Sequence, residues 1–144
     1  IGTHSIAAAA SSSVEHVFFV DLNPHNRNFV KQRANRLGLR DRLSVHRDIE
    51  STGKVKFDTV ICLDVLEHLA DPSHQLLCFL DRLSADSVAL MNWYFFKGHN
   101  GEYPFHIDDE AVVNQFFLTL QSNFLEIFHP FLITTRAYKP MRPN

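Results

Sequence analysis

The sequence predicts a doubly wound α/β fold, with a mostly parallel sheet, helices on both faces and a C-terminal antiparallel hairpin. Three observations carry this expectation. Short, almost uniformly apolar runs rich in valine and phenylalanine recur along the chain, as strands buried on both faces require. Segments of helical periodicity separate them, two beginning with an acid or amide followed by proline. The last two apolar runs are separated only by His129-Pro130, a connection short enough to make neighbouring strands antiparallel.

Taken in order, "VEHVFFV" (14–20) is the first buried strand. In "NPHNRNFVKQRANRLG" Asn23 suits an N-cap, Pro24 the first helical position and Gly38 the left-handed residue past the end. Phe29, Val30, Ala34 and Leu37 fall on one face of that helix. "RLSVHRD" (42–48) alternates apolar and polar, which fits a strand nearer a sheet edge, and "FDTVICL" (57–63) is a second buried strand. "DPSHQLLCFLDRLS" restarts a helix at Asp71 and Pro72, with Leu76, Leu80 and Leu83 at helical spacing. "SVALMNW" (87–93) is a third buried strand. "HIDDEAVVNQFFLTLQ" reads as a helix with acids in its first turn, where the macrodipole favours them, and Val112, Val113, Phe116, Phe117 and Leu120 form its apolar stripe. "FLEIF" (124–128) and "FLITTRAY" (131–138) are the hairpin strands.

A chain of 144 residues, 45% hydrophobic and 21% charged, fits one soluble domain spanning 1–144. A formal net charge of −2 lacks the basic face a nucleic-acid partner requires, so none is expected. No apolar run approaches the roughly 18 residues of a membrane span. The two cysteines, Cys62 and Cys78, form no CxxC pair and read as buried reduced thiols, which places the protein in the cytoplasm. The chain opens with "IGTHS", a glycine followed at once by a helix start. A doubly wound sheet needs a strand before that turn, so residues preceding Ile1, or a second chain, are expected to supply it.

Ligands of open α/β sheets bind beyond the carboxyl ends of the strands. Gly2 stands in the first turn, where the lack of a side chain lets backbone approach a ligand. Asp21 ends the next strand 19 positions later, a spacing suited to a carboxylate accepting from two ribose hydroxyls. Asp48 and Asp64 end the following two strands. A glycine and an acid at this separation also suit a nicotinamide dinucleotide, so these residues alone leave two cofactor classes open.

"FDTVICLDVLEHLADP" (57–72) closely resembles the segment of class I S-adenosylmethionine-dependent methyltransferases in which the fourth strand of their Rossmann-like fold runs into a short helical turn. "FFVDLNP" resembles their second strand with its ribose-binding acid, "IGTHS" the tail of their glycine-rich first motif, and "PFHIDDEAVVNQFFLTLQSNFLEIF" their closing helix and sixth strand. Two departures stand out: the first half of the glycine motif is absent, and Asn123 stands where glycine is usual. The resemblance implies S-adenosylmethionine as cofactor, S-adenosylhomocysteine as product and a small-molecule methyl acceptor. It places Gly2 at the methionine end, Asp21 on the ribose, and Leu22 beside the adenine. Asp48 and Ile49 border the adenine, Asp48 meeting its amino group, while Leu63 and Asp64 sit by the ribose and methionine.

Within the same motif, Val65, Leu66 and Leu69 are expected to pack the turn, Glu67 and His68 to face solvent or a neighbouring loop, and Asp71 to cap the next helix. His68 and His106 are the candidate bases for an oxygen acceptor, since imidazole has the suitable pKa. Glu67, His68 and their neighbours match no established ligand spacing, so no metal site is assigned. The segment "NWYFFKGHNGEYPFH" (92–106) carries Trp93, Tyr94, Phe95, Phe96, Tyr103 and Phe105, and two readings stand open: a pocket lining for a planar or apolar acceptor, or rings that pack the sheet and final helix. The competing functions are a dinucleotide-dependent oxidoreductase, disfavoured by the hairpin and the 57–72 motif, and a catalytically silent cofactor-binding scaffold.

Overall fold

The computed structural model describes residues 1–132 and 134–141. Within them the protein is mixed α/β, with four α-helices and six strands in two sheets. It forms two compact units, Ile1–Val55 and Lys56–Asn144.

The first unit contains α1 (Thr3–Ala10), β1 (Val17–Val20), α2 (Pro24–Arg36) and β2 (Leu43–His46). Strands β1 and β2 pair in parallel, with Val17 opposite Leu43 and Val20 opposite His46. Helix α2 starts where its sequence directs: Pro24 occupies the first turn, and the Asn23 side chain accepts from the His25 N–H. Gly38 takes φ 71° just past the end. The core is Ile6, Ala9, Phe19, Val30, Ala34 and Leu43. Val30 and Ala34, four residues apart, define the buried stripe of α2. Phe29 lies about 100° round the helix from Val30 and is exposed, and Leu37 is the cap residue outside the last turn and is also exposed. Neither therefore belongs to the packed face expected from the sequence.

The second unit contains β3 (Phe57–Cys62), α3 (Pro72–Arg82), β4 (Leu83–Met91), α4 (Glu110–Asn123), β5 (Phe124–Ile127) and β6 (Arg136–Pro140). Its sheet runs β3-β4-β6-β5. Strands β3 and β4 are parallel, with Cys62 opposite Met91. Strand β6 lies between β4 and β5 and is antiparallel to both. It begins at Arg136 rather than at 131, so the connection after β5 is longer than His129-Pro130 alone; Ile133, part of the expected strand, lies outside the described residues. Leu83, expected on the face of α3, is instead the first residue of β4, buried where the helix stops. The apolar strands are also less enclosed than expected: Val20 and Ile61 are exposed.

Asp71 caps α3 by accepting from the His74 N–H, and Asp109 caps α4 by accepting from the Val112 N–H. Both caps satisfy donors that the first helical turn leaves unpaired. Phe116 on α4 is fully buried, with Trp93 and Phe95 edge-on at 5.0 and 4.9 Å between ring centroids. Among the described residues no helix is long and apolar enough to cross a membrane. Because Phe116 joins helix to sheet through these rings, Phe116→Ala is expected to destabilise the protein by about 3–5 kcal/mol, read as a lower urea midpoint.

Candidate functional site

In the first unit, Asp21 and Leu22 follow the carboxyl end of β1, and Asp48 and Ile49 follow that of β2. The Asp21 N–H donates to the His46 carbonyl at 3.2 Å, continuing the ladder one step beyond Val20. The Asp21 carboxylate accepts from the Asn23 N–H at 2.7 Å and from Asn26 Nδ2 at 3.0 Å, one bond to each oxygen. A carboxylate has about four acceptor sites, so two remain for a vicinal diol. Arg27 binds the carbonyls of Asp21 and Leu22 at 2.7 and 2.8 Å, which holds the strand exit against α2. The Leu22 side chain is 67% exposed, leaving an apolar surface beside the acid.

Asp48 is partly committed to its own turn. Its Oδ1 accepts from the Ser51 N–H at 2.8 Å, and its carbonyl accepts from the Ser51 hydroxyl at 2.7 Å. The Ser51 backbone bond holds the Asp48 carboxyl below the usual carboxylate range, against the opposing effect of desolvation, with the Ser51 hydroxyl, Arg47 and Arg27 helping. Ile49 is buried. Gly2 precedes α1 at φ 66°, and a Cβ there would overlap Cγ2 of the fully buried Val30.

In the second unit, Leu63 and Asp64 follow β3. Asp64 has φ 53°, the left-handed region that L-residues other than glycine enter at a cost. Asn92, at the end of β4, holds it there: the Asp64 N–H donates to Asn92 Oδ1 at 2.6 Å, and Asn92 Nδ2 donates to Asp64 Oδ1 at 2.8 Å. Asn92 was not picked out from the sequence. The usable signal is that it stands one residue past a parallel neighbour of β3, where a side-chain amide can bridge two strand exits.

The chain then makes a single 3₁₀ turn at Leu66–His68. Three residues per turn space successive side chains about 120° apart, and this turn buries both Leu66 and Glu67. Of the two placements expected for Glu67, solvent or a neighbouring loop, the structure gives the loop: the residue is 2% exposed, and its carbonyl accepts from the Ile107 N–H at 2.7 Å. Its Oε2 is buried and has no hydrogen-bond partner among the described residues. His68 is exposed and meets the neighbouring loop, its Nδ1 lying 3.3 Å from the Phe105 carbonyl. His106 stands against it with ring centroids 4.7 Å apart. Burial first, and the Glu67 carboxylate second, push the Cys62 thiol up to about 12, which keeps it protonated and unreactive.

The aromatic segment divides by alternation. Trp93 and Phe95 turn to Phe116 and Phe117 in the core. Tyr94 and Tyr103 turn the other way and close on His106, with Tyr103 stacked on the imidazole at 5.0 Å and Tyr94 edge-on at 5.7 Å. The loop is fixed by Tyr103 N–H to Lys97 carbonyl at 2.8 Å and by Lys97 to Asp108 at 2.9 Å. Phe105 is exposed. The result is a cavity of about 370 Å³ lined by Asp64, Glu67, His68, Tyr94, Tyr103 and His106. Such a volume suits a small ligand, and the lining combines two phenol rings with acids and imidazoles.

Residues 1–89 match a family described as "Methyltransferase domain". The chain belongs to this methyltransferase domain family. No curated protein matches it in sequence. Among solved structures it is similar to a geranyl diphosphate methyltransferase in complex with SAM, with TM-score 0.69 and 10% identity over 96% of this chain and 72% of that one. It is similar to a putative rRNA-methylase from Clostridium thermocellum, with TM-score 0.66 and 14% identity over 97% and 83%. The [4+2]-cyclase SpnF shares the fold with TM-score 0.68 and 14% identity, this chain covering 88% of itself but only 49% of the cyclase. At these identities the structures establish the fold alone.

Gly2, in the part of the methyltransferase domain where the resemblance puts the glycine motif, offers a test of local packing. Gly2→Ala combines left-handed strain with overlap on Val30, and is expected to destabilise the protein by about 2–4 kcal/mol in urea denaturation.

Proposed function

We propose that the protein transfers a methyl group from S-adenosylmethionine to a small-molecule acceptor. The observation that carries this reading is the cavity beyond β3 and β4, whose size and paired tyrosines suit a planar or apolar molecule. The family supplies the cofactor, S-adenosylmethionine, and the residues present fit it. Asp21 keeps free acceptor positions for ribose hydroxyls, and the exposed Leu22 suits the adenine face. By the sequence resemblance alone, Gly2, Asp48, Ile49, Leu63 and Asp64 are the other residues that would hold the donor. When bound, the sulfonium supplies an electrophilic methyl and a good leaving group.

What remains for the protein is to place an acceptor in line and to keep water away from it. Tyr94 and Tyr103, which meet edge to face with centroids 5.4 Å apart, would form one aromatic wall against the acceptor. His68 and His106 border the same cavity, where an oxygen acceptor must lose its proton. If the Phe105 carbonyl takes the Nδ1–H of His68, the Nε2 lone pair is left available, because a carbonyl can only accept.

This reading treats residues 1–144 as a single methyltransferase-like domain with the doubly wound arrangement, working in the cytoplasm. An rRNA acceptor is the second reading, favoured by the similarity to the Clostridium thermocellum protein. The net charge of −2 supports the small molecule instead.

Two measurements test the proposal. In a thermal-shift comparison, S-adenosylhomocysteine is expected to raise the melting temperature and NAD to leave it unchanged; stabilisation by NAD alone would reject the reading. By titration calorimetry, Asp21→Ala is expected to weaken S-adenosylhomocysteine binding about 10- to 100-fold, corresponding to the loss of charge-assisted bonds worth roughly 1.5–3 kcal/mol.

A further inference from the structure

We propose that Glu67, His68 and His106 form a binding site for a single divalent transition-metal ion, with Asp64 at its edge. The three ligand atoms, one carboxylate oxygen and two imidazole nitrogens, all lie within 4.8 Å of one another. Ligands at about 2.0–2.2 Å from a common ion stand somewhat closer together than that, so a modest contraction of the side chains would complete the site.

Proximity alone does not make a site; the state of the individual atoms does. Glu67 is 2% exposed, yet its buried Oε2 has no hydrogen-bond partner among the described residues. Nδ1 of His106 is likewise buried and has no hydrogen-bond partner among the described residues. Buried polar atoms of this kind are uncommon because each forfeits its hydration without return. Here the two residues that carry them, from different segments of the chain, line the same cavity as His68. One cation between them would satisfy both atoms at once.

The surroundings also prepare the ligands. The contact of His68 Nδ1 with the Phe105 carbonyl at 3.3 Å assigns the proton to that nitrogen and turns Nε2 into the donor. The Ile107 N–H to Glu67 carbonyl bond ties the loop carrying His106 to the turn carrying the other two ligands. Tyr103 stacks on the His106 ring and fixes its plane. Two imidazoles and a carboxylate select Zn²⁺, an ion of borderline softness, or the harder Mn²⁺, which also takes mixed imidazole and carboxylate ligands, over Ca²⁺, which prefers an all-oxygen shell. Three protein ligands leave positions open toward the cavity for water or an acceptor oxygen. The site stands independently of the methyl-transfer reading. If both hold, the ion replaces the histidines as the group that stabilises a deprotonated acceptor oxygen.

The test uses the whole chain, freed of metal by chelation and titrated with Zn²⁺ and, separately, Mn²⁺ by calorimetry, without cofactor. One equivalent is expected to bind, and a bound ion is expected to raise the melting temperature. Glu67→Gln, His68→Ala and His106→Ala are each expected to weaken binding at least about tenfold. His68 is exposed, so His68→Ala remains informative should a change at Glu67 prevent folding, with circular dichroism as the control. No saturable binding of either ion, or binding that all folded variants leave unchanged, would overturn the site. S-adenosylhomocysteine binding, measured on the same metal-free protein, reports on the methyl-transfer reading separately.

Discussion

The reciprocal pair between Asp64 and Asn92 is the constraint on which the cavity depends. Two parallel strands, β3 and β4, end side by side, and the chain must leave the first without crossing the second. It does so by putting Asp64 into left-handed backbone at φ 53°. That conformation costs about 1–3 kcal/mol for a residue other than glycine. Two hydrogen bonds to Asn92, each worth about 1 kcal/mol net, offset it. Aspartate is also among the residues that tolerate this region best. The direction set at Asp64 delivers the turn at 66–68, and with it one wall of the cavity.

Features governed by a few adjacent residues were legible in the sequence. Asn23 with Pro24 and Asp71 with Pro72 marked helix starts that the structure places at those positions, because capping is decided within one turn. Strand-like runs separated by helical segments implied a mostly parallel sheet, and the pairs β1–β2 and β3–β4 are parallel. Features decided by distant neighbours were not legible. The insertion of β6 between β4 and β5 depends on which edge accepts it, and nothing within residues 124–138 encodes that order. Phe29 and Leu37 had the right residue type, but their backbone positions point them away from the stripe that Val30 and Ala34 define.

The site was legible in its residue types and misjudged in its burial. His68 and His106 were chosen for their chemistry, and they do meet, with centroids 4.7 Å apart. Solvent and a neighbouring loop were both open for Glu67, and neither implies burial to 2% exposure. The loop that covers it arrives from residues 105–107, beyond the reach of any local pattern. For the aromatic segment a pocket lining and core packing stood as alternative readings, and the assignment of each ring needed coordinates. Extended backbone sends Trp93 and Phe95 one way and Tyr94 the other, a period-two rule that applies once the segment is known to be extended.

Glu67 cannot be explained by stability. A buried carboxylate oxygen without a partner loses hydration and gains nothing, and apolar residues of similar volume pack such positions more favourably. Leu66, its neighbour in the turn, shows that the same segment accepts a fully buried leucine. The turn thus keeps one residue that strengthens the core and one that weakens it. The weakening residue borders the cavity together with two imidazoles and two phenol rings. A cost placed there, rather than scattered through the unit, has the distribution expected of a binding site that the fold maintains at its own expense.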